Sequence, residues 1–309
     1  MAAMNRNHPY PIGTPGTAWG AAERAAWLAR QSVQRSYADD VLAAVEALRA
    51  DFECEEYGRL EVDPQRYPLY VLKSPDWRSA LPTILVTGGV HGYETSGVHG
   101  ALRFLQQYAG RHYGRINLLV APCVSPWGYE MIQRWNPQAV DPNRSFGNGA
   151  AQEAAALRQL LAPITEQIVM HIDLHETTDT DESEFRPALA ARDGSPLVPG
   201  TIPDGFYLVD DTVRPQLDFQ AAIINAVSKV THIAPADANG KLIGDPVVAP
   251  GVIQYPLRAA GLCAGVTDAL YRTTTEVYPD SPRTNPEACI DAQCVAVSAA
   301  IEFVLRSRA

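Results

Sequence analysis

The sequence predicts an α/β fold, a single domain with a central mixed, mainly parallel β-sheet and helices on both faces. Three observations predict it. Strand-like apolar runs alternate with segments of helical periodicity along the chain. One of those runs, "TILVTGGV" (Thr83–Val90), is apolar along its length, as expected of a strand covered on both faces. No internal repeat and no low-complexity linker divides the 309 residues, so 1–309 is expected to be one domain, with 1–55 a helical segment packed on it.

Taken in order, residues 21–52 carry a long helical pattern, apolar at Ala26, Leu28, Val33, Val41, Val45 and Leu48, with one break near Tyr37. "YPLYVLKS" (Tyr67–Ser74) reads as a strand, followed by the buried Thr83–Val90 strand. A helix from about Thr95 places Val98, Ala101, Leu102, Leu105 and Tyr108 on one face. Next come a strand over Ile116–Pro122, a helix over Gln152–Ile164 and a strand over Ile168–Glu176. A polar loop then runs to about Gly205, ahead of strand "FYLVDD" and a helix over Leu217–Val230. The β-branched "YRTTTEVY" (Tyr271–Tyr278) is the last strand. An amphipathic helix over Pro286–Arg306, marked by Ile290, Val297, Ile301, Val304 and Leu305, closes the series.

Hydrophobic residues at 46% and charged residues at 19% are ordinary for a globular protein. A net charge of −10 argues against nucleic acid as a partner, because phosphate binding needs a basic face. Five cysteines, an odd number without CxxC spacing, point to free thiols rather than a disulfide framework or a thiolate metal site. The N-terminus lacks an apolar signal core, and no stretch is read as the ~20 apolar residues of a membrane span, so a cytoplasmic, membrane-free location is expected. Composition leaves the oligomeric state open.

The chemistry concentrates at strand ends, where ligands collect in open α/β sheets. His91 and Glu94 lie three apart in "GGVHGYE", at the point where a buried strand gives way to a helix. By itself the pair is commonplace: a helix-start Glu beside an exposed His. Fixed by a tight turn, however, the two side chains are preorganised ligands, and a catalytic zinc needs a third. "HIDLHE" offers His171 and His175 on one side of a strand. His175, at the mouth of the sheet, is the expected ligand, and His171, deeper along the strand, a hydrogen-bonded core histidine. Asp173 on the same side can hold an imidazole from behind. Arg134 and the pair Asn143–Arg144 lie between the two ligand segments. A guanidinium beside an amide suits a carboxylate, which arginine grips with two hydrogen bonds.

In order along the chain, "HGYE", "GYEMIQRWN…VDPNRSF", "DLHETT" and "TEVY" resemble the M14 zinc carboxypeptidase family, from about Tyr67 to Tyr278. The resemblance implies one zinc per chain, held by His91, Glu94 and His175. It implies that Asn143 and Arg144 bind the substrate's terminal carboxylate, that Arg134 polarises the scissile carbonyl and that Glu276 is the general base. "DLHETT" and the short interval from Glu94 to His175 resemble the aspartoacylase and succinylglutamate desuccinylase branch, which releases the acyl group of N-acyl amino acids. Pro142 departs from the aliphatic residue frequent in the family. Tyr255 is the nearest match to the family's substrate-contacting tyrosine. Asp179, Asp181, Glu182 and Glu184 can admit a second metal or form a solvated acidic loop, and the loop is the expectation. The expected activity is therefore zinc-dependent cleavage of the C-terminal amide bond of a peptide or peptide-like substrate. Its alternatives are an N-acyl amino acid amidohydrolase and a non-catalytic metal- or peptide-binding protein. A general base at Glu276 argues against the last, since a binder has no use for one.

Overall fold

Eight strands form one sheet in the order β1-β2-β4-β3-β5-β10-β6-β9. The computed structural model describes residues 10–75 and 77–308, so the first nine residues of the expected N-terminal segment lie outside the described residues. The chain enters through α1 (Ala21–Leu28), a π-helical turn at Ala38–Leu42 and α2 (Ala43–Leu48). It continues through β1 (Glu53–Arg59), β2 (Pro68–Lys73), β3 (Thr83–Gly88), α3 (Thr95–Gln107), β4 (Asn117–Ala121), α4 (Pro126–Met131), α5 (Gln152–Leu161) and β5 (Ile168–Glu176). The second half adds α6 (Arg186–Asp193), β6 (Tyr207–Asp211), α7 (Leu217–Val227) and a two-strand hairpin, β7 (Lys241–Leu242) with β8 (Asp245–Pro246). Then follow β9 (Val252–Tyr255), β10 (Tyr271–Val277) and α8 (Pro286–Ser307). Strand pairs β3/β4, β3/β5, β5/β10 and β6/β9 are parallel, while β1/β2, β2/β4 and β6/β10 are antiparallel. The sheet is mixed and mainly parallel, as the sequence predicts.

Alternation along the strands sorts the core into two layers. Leu72, Ile84, Val86, Ile172 and Leu174 join a cluster with Val98 and Leu105 of α3, Ile223 of α7 and Val297 and Ile301 of α8. Val71, Leu85 and Leu119 face the other way, against Ala154, Leu157 and Leu161 of α5. Helix α8 is long and apolar enough to cross a membrane by length and composition, contrary to the expectation from sequence. More than half of its apolar window is buried within the protein, so it serves as a core helix.

The long pattern over residues 21–52 resolves into two short helices, because the segment between them runs non-helically and hydrogen-bonds to α4 instead. Strands β1 and β9 escape the sequence reading. Both are sheet edges, and β1 ("ECEEYGR") carries charges that suit an edge and hide the strand pattern. The polar loop expected from 177 to 205 is also corrected. It folds into a π-helical turn at Asp181–Phe185 and then α6, closed by Gly194 in the left-handed conformation, with Phe185 and Ala188 buried.

The N-terminal segment is anchored by Trp27, which is 1% exposed and packs its ring 6.0 Å from Trp127 and 5.6 Å from Trp135. Trp27→Ala should lower unfolding stability by about 3–5 kcal/mol, the usual cost of emptying a buried aromatic site. Urea unfolding of variant and parent measures this.

Candidate active site

The turn after β3 is shaped by two glycines. Gly89 has φ +59, open to glycine at no steric cost, and a Cβ on Gly92 would lie 2.0 Å from the Gly128 and Tyr129 backbone. The turn thus sits directly on α4, with His91 and Glu94 aimed inward. Glu94 occupies the N-cap position of α3 but does not cap it. Glu176 does so instead, accepting the N–H groups of Thr95 (3.0 Å) and Ser96 (2.6 Å) from the end of β5. Burial pushes the Glu176 carboxyl up to about 7.

Freed from capping, Glu94 meets both imidazoles: Oε1 lies 2.7 Å from His91 Nδ1 and Oε2 lies 2.7 Å from His175 Nδ1. All three side chains are buried. Behind them, His91 Nε2 faces Asp141 Oδ1 at 3.0 Å and His175 Nε2 faces Asp173 Oδ2 at 2.7 Å. A carboxylate at each Nε2 assigns the ring proton there and leaves the Nδ1 lone pairs turned toward Glu94. Two lone pairs and a carboxylate facing one another repel unless a cation lies between them. Glu94 Oε2, despite its short approach to His175, has no hydrogen bond of acceptable geometry. The donor set fits a metal ion, with ligand atoms of His91, Glu94 and His175 all within 4.8 Å of one another.

His171 is buried outside this set, with Nε2 3.0 Å from Thr87 Oγ1. Asp173, beyond holding His175, accepts the Thr87 hydroxyl at 2.6 Å.

The loop after β4 brings the arginines. Asp141 caps the short turn Pro142–Arg144 by accepting the Asn143 N–H at 2.8 Å, and its other oxygen takes Arg134 Nε at 3.2 Å. Asp141 therefore couples His91 to Arg134. Arg134 also approaches Tyr93 Oη (3.3 Å) and Asp181 Oδ1 (3.5 Å), so it is a half-buried, partnered group and not a free surface charge. Asn143 Nδ2 lies 3.4 Å from His175 Nε2, and its Oδ1 accepts the Cys263 N–H at 2.7 Å. Arg144 Nη1 donates to the Asn143 carbonyl at 2.8 Å, the one hydrogen bond of its side chain among the described residues, and the guanidinium lines the cleft.

Parallel pairing of β5 with β10 sets Glu276 opposite His175. Neither Arg272 nor Arg283, the sequence-level candidates for a structural partner, takes it. Arg272 pairs with Asp211 at 2.5 Å, and Arg283 lies 3.8 Å from Asp204. Glu276 accepts the Thr177 hydroxyl at 3.1 Å, and loss of solvent around it, with the charges of Glu94 and Asp181 nearby, pushes its carboxyl up to about 8. A cleft of about 760 Å³ is lined by His91, Glu94, His175, Arg134, Asn143, Arg144 and Glu276 together. Tyr255 lines it too, its hydroxyl donating to Asp245 at 2.9 Å.

The acidic segment is not a solvated loop. Asp181 accepts the Tyr93 hydroxyl at 2.9 Å and faces Arg134, Glu182 pairs with Arg186, and Glu184 accepts the Tyr10 hydroxyl. Sequence reasoning also missed Asp141, which lies inside the quoted "VDPNRSF", and Arg35. The Arg35 guanidinium holds the Gly92 carbonyl (2.6 Å), Thr95 Oγ1 (2.7 Å) and the Tyr129 carbonyl (2.6 Å). The first two flank Glu94. All five cysteines are free, four of them buried and Cys54 half-buried.

Residues 80–192 match the succinylglutamate desuccinylase/aspartoacylase catalytic domain. Carboxypeptidase 2 of Trichophyton equinum is 31% identical over 141 residues, and that of Trichophyton tonsurans is 29% identical over 141 residues. Each match covers 42% of this chain and 24% of the relative, so the chain spans about a quarter of the curated relatives' length. Among solved structures, a metallo-carboxypeptidase from Burkholderia cenocepacia aligns with TM-score 0.61 at 16% identity, over 88% of this chain and 69% of its own. A Shewanella amazonensis protein, provisionally described as a metallopeptidase, aligns with TM-score 0.61 at 21% identity, over 89% of this chain and 98% of its own. The fold is that of the metallocarboxypeptidases. The resemblance read from the motif order, to zinc carboxypeptidases and the aspartoacylase–desuccinylase branch, is borne out.

Two outcomes are expected from this geometry. Elemental analysis should find bound metal lost in His91→Ala and His175→Ala but retained in His171→Gln, and Asp173→Asn should weaken metal affinity by about 10–100-fold. Retention by His175→Ala would exclude it as a ligand. Separately, burial holds the His171 pKa down at about 4. Between its unfolded value of about 6.5 and that folded value, the unfolded chain binds more protons, so stability rises with pH there and is lost as pH falls toward 4. His171→Gln should remove up to about 1.4 kcal/mol per pH unit from that slope, as read by urea unfolding across the window.

Proposed function

We propose that this protein is a zinc-dependent hydrolase that removes the C-terminal residue of a peptide or peptide-like substrate. The observation that carries the reading is a cleft shared by a His₂Glu ligand set, the largely unengaged Arg144 and the carboxyl of Glu276, which has no salt-bridge partner among the described residues. One zinc per chain at His91, Glu94 and His175 would supply Lewis-acid activation of the scissile carbonyl and a nucleophilic water near neutral pH. Arg144, with Asn143 beside it, grips the substrate carboxylate and fixes the register of the chain in the cleft. Arg134 donates hydrogen bonds to the carbonyl oxygen as negative charge develops on it. Glu276 accepts a proton from the attacking water and returns it to the leaving nitrogen, a role suited to a half-buried carboxyl with raised proton affinity.

A second reading, hydrolysis of N-acyl amino acids, is favoured by the match of residues 80–192 to the desuccinylase/aspartoacylase catalytic domain. It uses the same residues in the same roles, with the acyl group in place of the upstream peptide. Release of free amino acid from a dipeptide panel, set against release of acetate or succinate from acylated amino acids, separates the two readings.

Glu276→Gln keeps the shape and removes the basicity, so turnover should fall at least ~10²-fold with metal content and fold intact. A nearly fully active variant would overturn the mechanism. Arg144→Ala should lose on the order of 2–4 kcal/mol of transition-state binding and discriminate poorly between free and amidated C-termini. An unchanged preference for the free carboxylate removes Arg144 from this role.

A further inference from the structure

Resting on the proposed hydrolase reading, we propose that Tyr207 is a positioning residue for the general base. Its hydroxyl acts through Thr177 to fix the Glu276 carboxylate with one oxygen left to the cleft. The starting observation is a chain of three side chains. Thr177 Oγ1 lies 3.0 Å from Tyr207 Oη and 3.1 Å from Glu276 Oε2. A threonine hydroxyl has one proton, and an ionised carboxylate can only accept. Thr177 therefore donates to Glu276, which obliges Tyr207 to donate to Thr177. Tyr207 Oη has no other hydrogen-bond partner among the described residues, and Glu276 Oε1 has none.

Sheet register builds this relay. Tyr207 stands opposite Glu276 in the antiparallel β6–β10 pairing, and Glu276 stands opposite His175 in the parallel β5–β10 pairing. Directly opposed residues share a face, so His175, Glu276 and Tyr207 form one row across three strands. Thr177 lies two residues beyond His175 and on the same side. Its N–H continues the ladder to the Val277 carbonyl at 2.9 Å, which holds its hydroxyl beside the row. The Tyr207 side chain, 1% exposed, belongs to an apolar cluster with Val209, Ile253 and Leu257. A ring packed in that way has little freedom, so its hydroxyl is a fixed donor at the cleft wall.

The two carboxylate oxygens of Glu276 thereby take different tasks. Oε2 is held by the Thr177 proton, and Oε1 remains the basic atom. A proton taken from the attacking water goes to Oε1, and Glu276 becomes a neutral carboxylic acid. As the carbon–nitrogen bond breaks, the same oxygen passes that proton to the leaving nitrogen and the carboxylate is restored. The Thr177 and Tyr207 protons stay in place throughout. Donation by Tyr207 strengthens the Thr177 bond, because hydrogen bonds in a chain polarise one another. Removing the phenol hydroxyl leaves the base present but loosely held. A tyrosine that touched substrate directly would change binding, whereas one acting through Thr177 changes turnover.

The test uses the zinc-loaded full chain and its best-cleaved substrate from a panel of dipeptides and acylated amino acids. Tyr207→Phe should lower kcat by about tenfold, less than the ~10²-fold of a group misplaced outright, with KM and zinc content unchanged. Thr177→Val should cost at least as much, while Thr177→Ser, which keeps the hydroxyl, should stay within about threefold of wild type. A residue acting through Glu276 has nothing to position once the base is gone. Tyr207→Phe should therefore cost nothing further in the Glu276→Gln background. Calorimetry with the amino acid product of the same substrate should give equal Kd values for Tyr207→Phe and wild type, because Arg144 holds the carboxylate. An unchanged kcat, a loss confined to KM, weaker product binding, loss of zinc, or an undiminished effect in the Glu276→Gln background overturns the positioning role alone. A zinc-loaded wild type that cleaves none of the panel overturns the hydrolase reading and the positioning role with it.

Discussion

A carboxylate stands behind each imidazole of the cleft, half-buried Asp141 at His91 Nε2 and buried Asp173 at His175 Nε2, and these two contacts decide which way the site faces. A neutral imidazole carries one ring proton, so fixing it at Nε2 leaves Nδ1 as an acceptor turned toward Glu94. Neither aspartate is left to hold its charge alone. Thr87 donates to Asp173, while Asp141 takes the Asn143 N–H and Arg134. Each of those supports belongs to a different strand or loop, so the orientation of two rings rests on the register of the sheet and the shape of one long loop.

An exchange of caps supports the same arrangement. A glutamate at the start of α3 would ordinarily be drawn to the helix's free N–H groups. Glu176, delivered by the neighbouring strand, satisfies those groups, and Glu94 turns inward. Arg35 then closes the turn from outside, bonded on either side of Glu94 while its guanidinium stacks 3.6 Å over the Tyr129 ring. The N-terminal segment is thereby joined to the ligand turn and not only to the apolar core.

The cleft has two unlike walls. On one side Arg134, Tyr93 and Asp181 form a half-buried polar network continuous, through Asp141, with His91. On the other, strands β6, β9 and β10 and the β7–β8 hairpin present Val209, Thr274, Ile243 and the two tyrosines Tyr207 and Tyr255. The division follows the topology. Antiparallel β6 reverses direction beside β10, so its start lies beside the end of β10 that carries Glu276.

The sequence by itself determined the strands that carry the site, because continuous apolar runs such as Thr83–Val90 have one stable place, the covered middle of a sheet. It also determined the residue types: His91, Glu94 and His175 at strand ends, Asn143 and Arg144 between them, and a carboxyl at 276 in a segment with little structural need of one. Their order along the chain carried the resemblance. Tertiary structure alone decided the rest. Which acid stands behind which imidazole depends on contacts 50 residues apart for His91 and Asp141, a separation that no local pattern reports. The edge strands and α6 hid behind polar composition, because elements buried on one side only need few apolar residues. The role of Arg35 exists only where distant backbones meet, and proximity of that kind is a property of packing and not of sequence spacing.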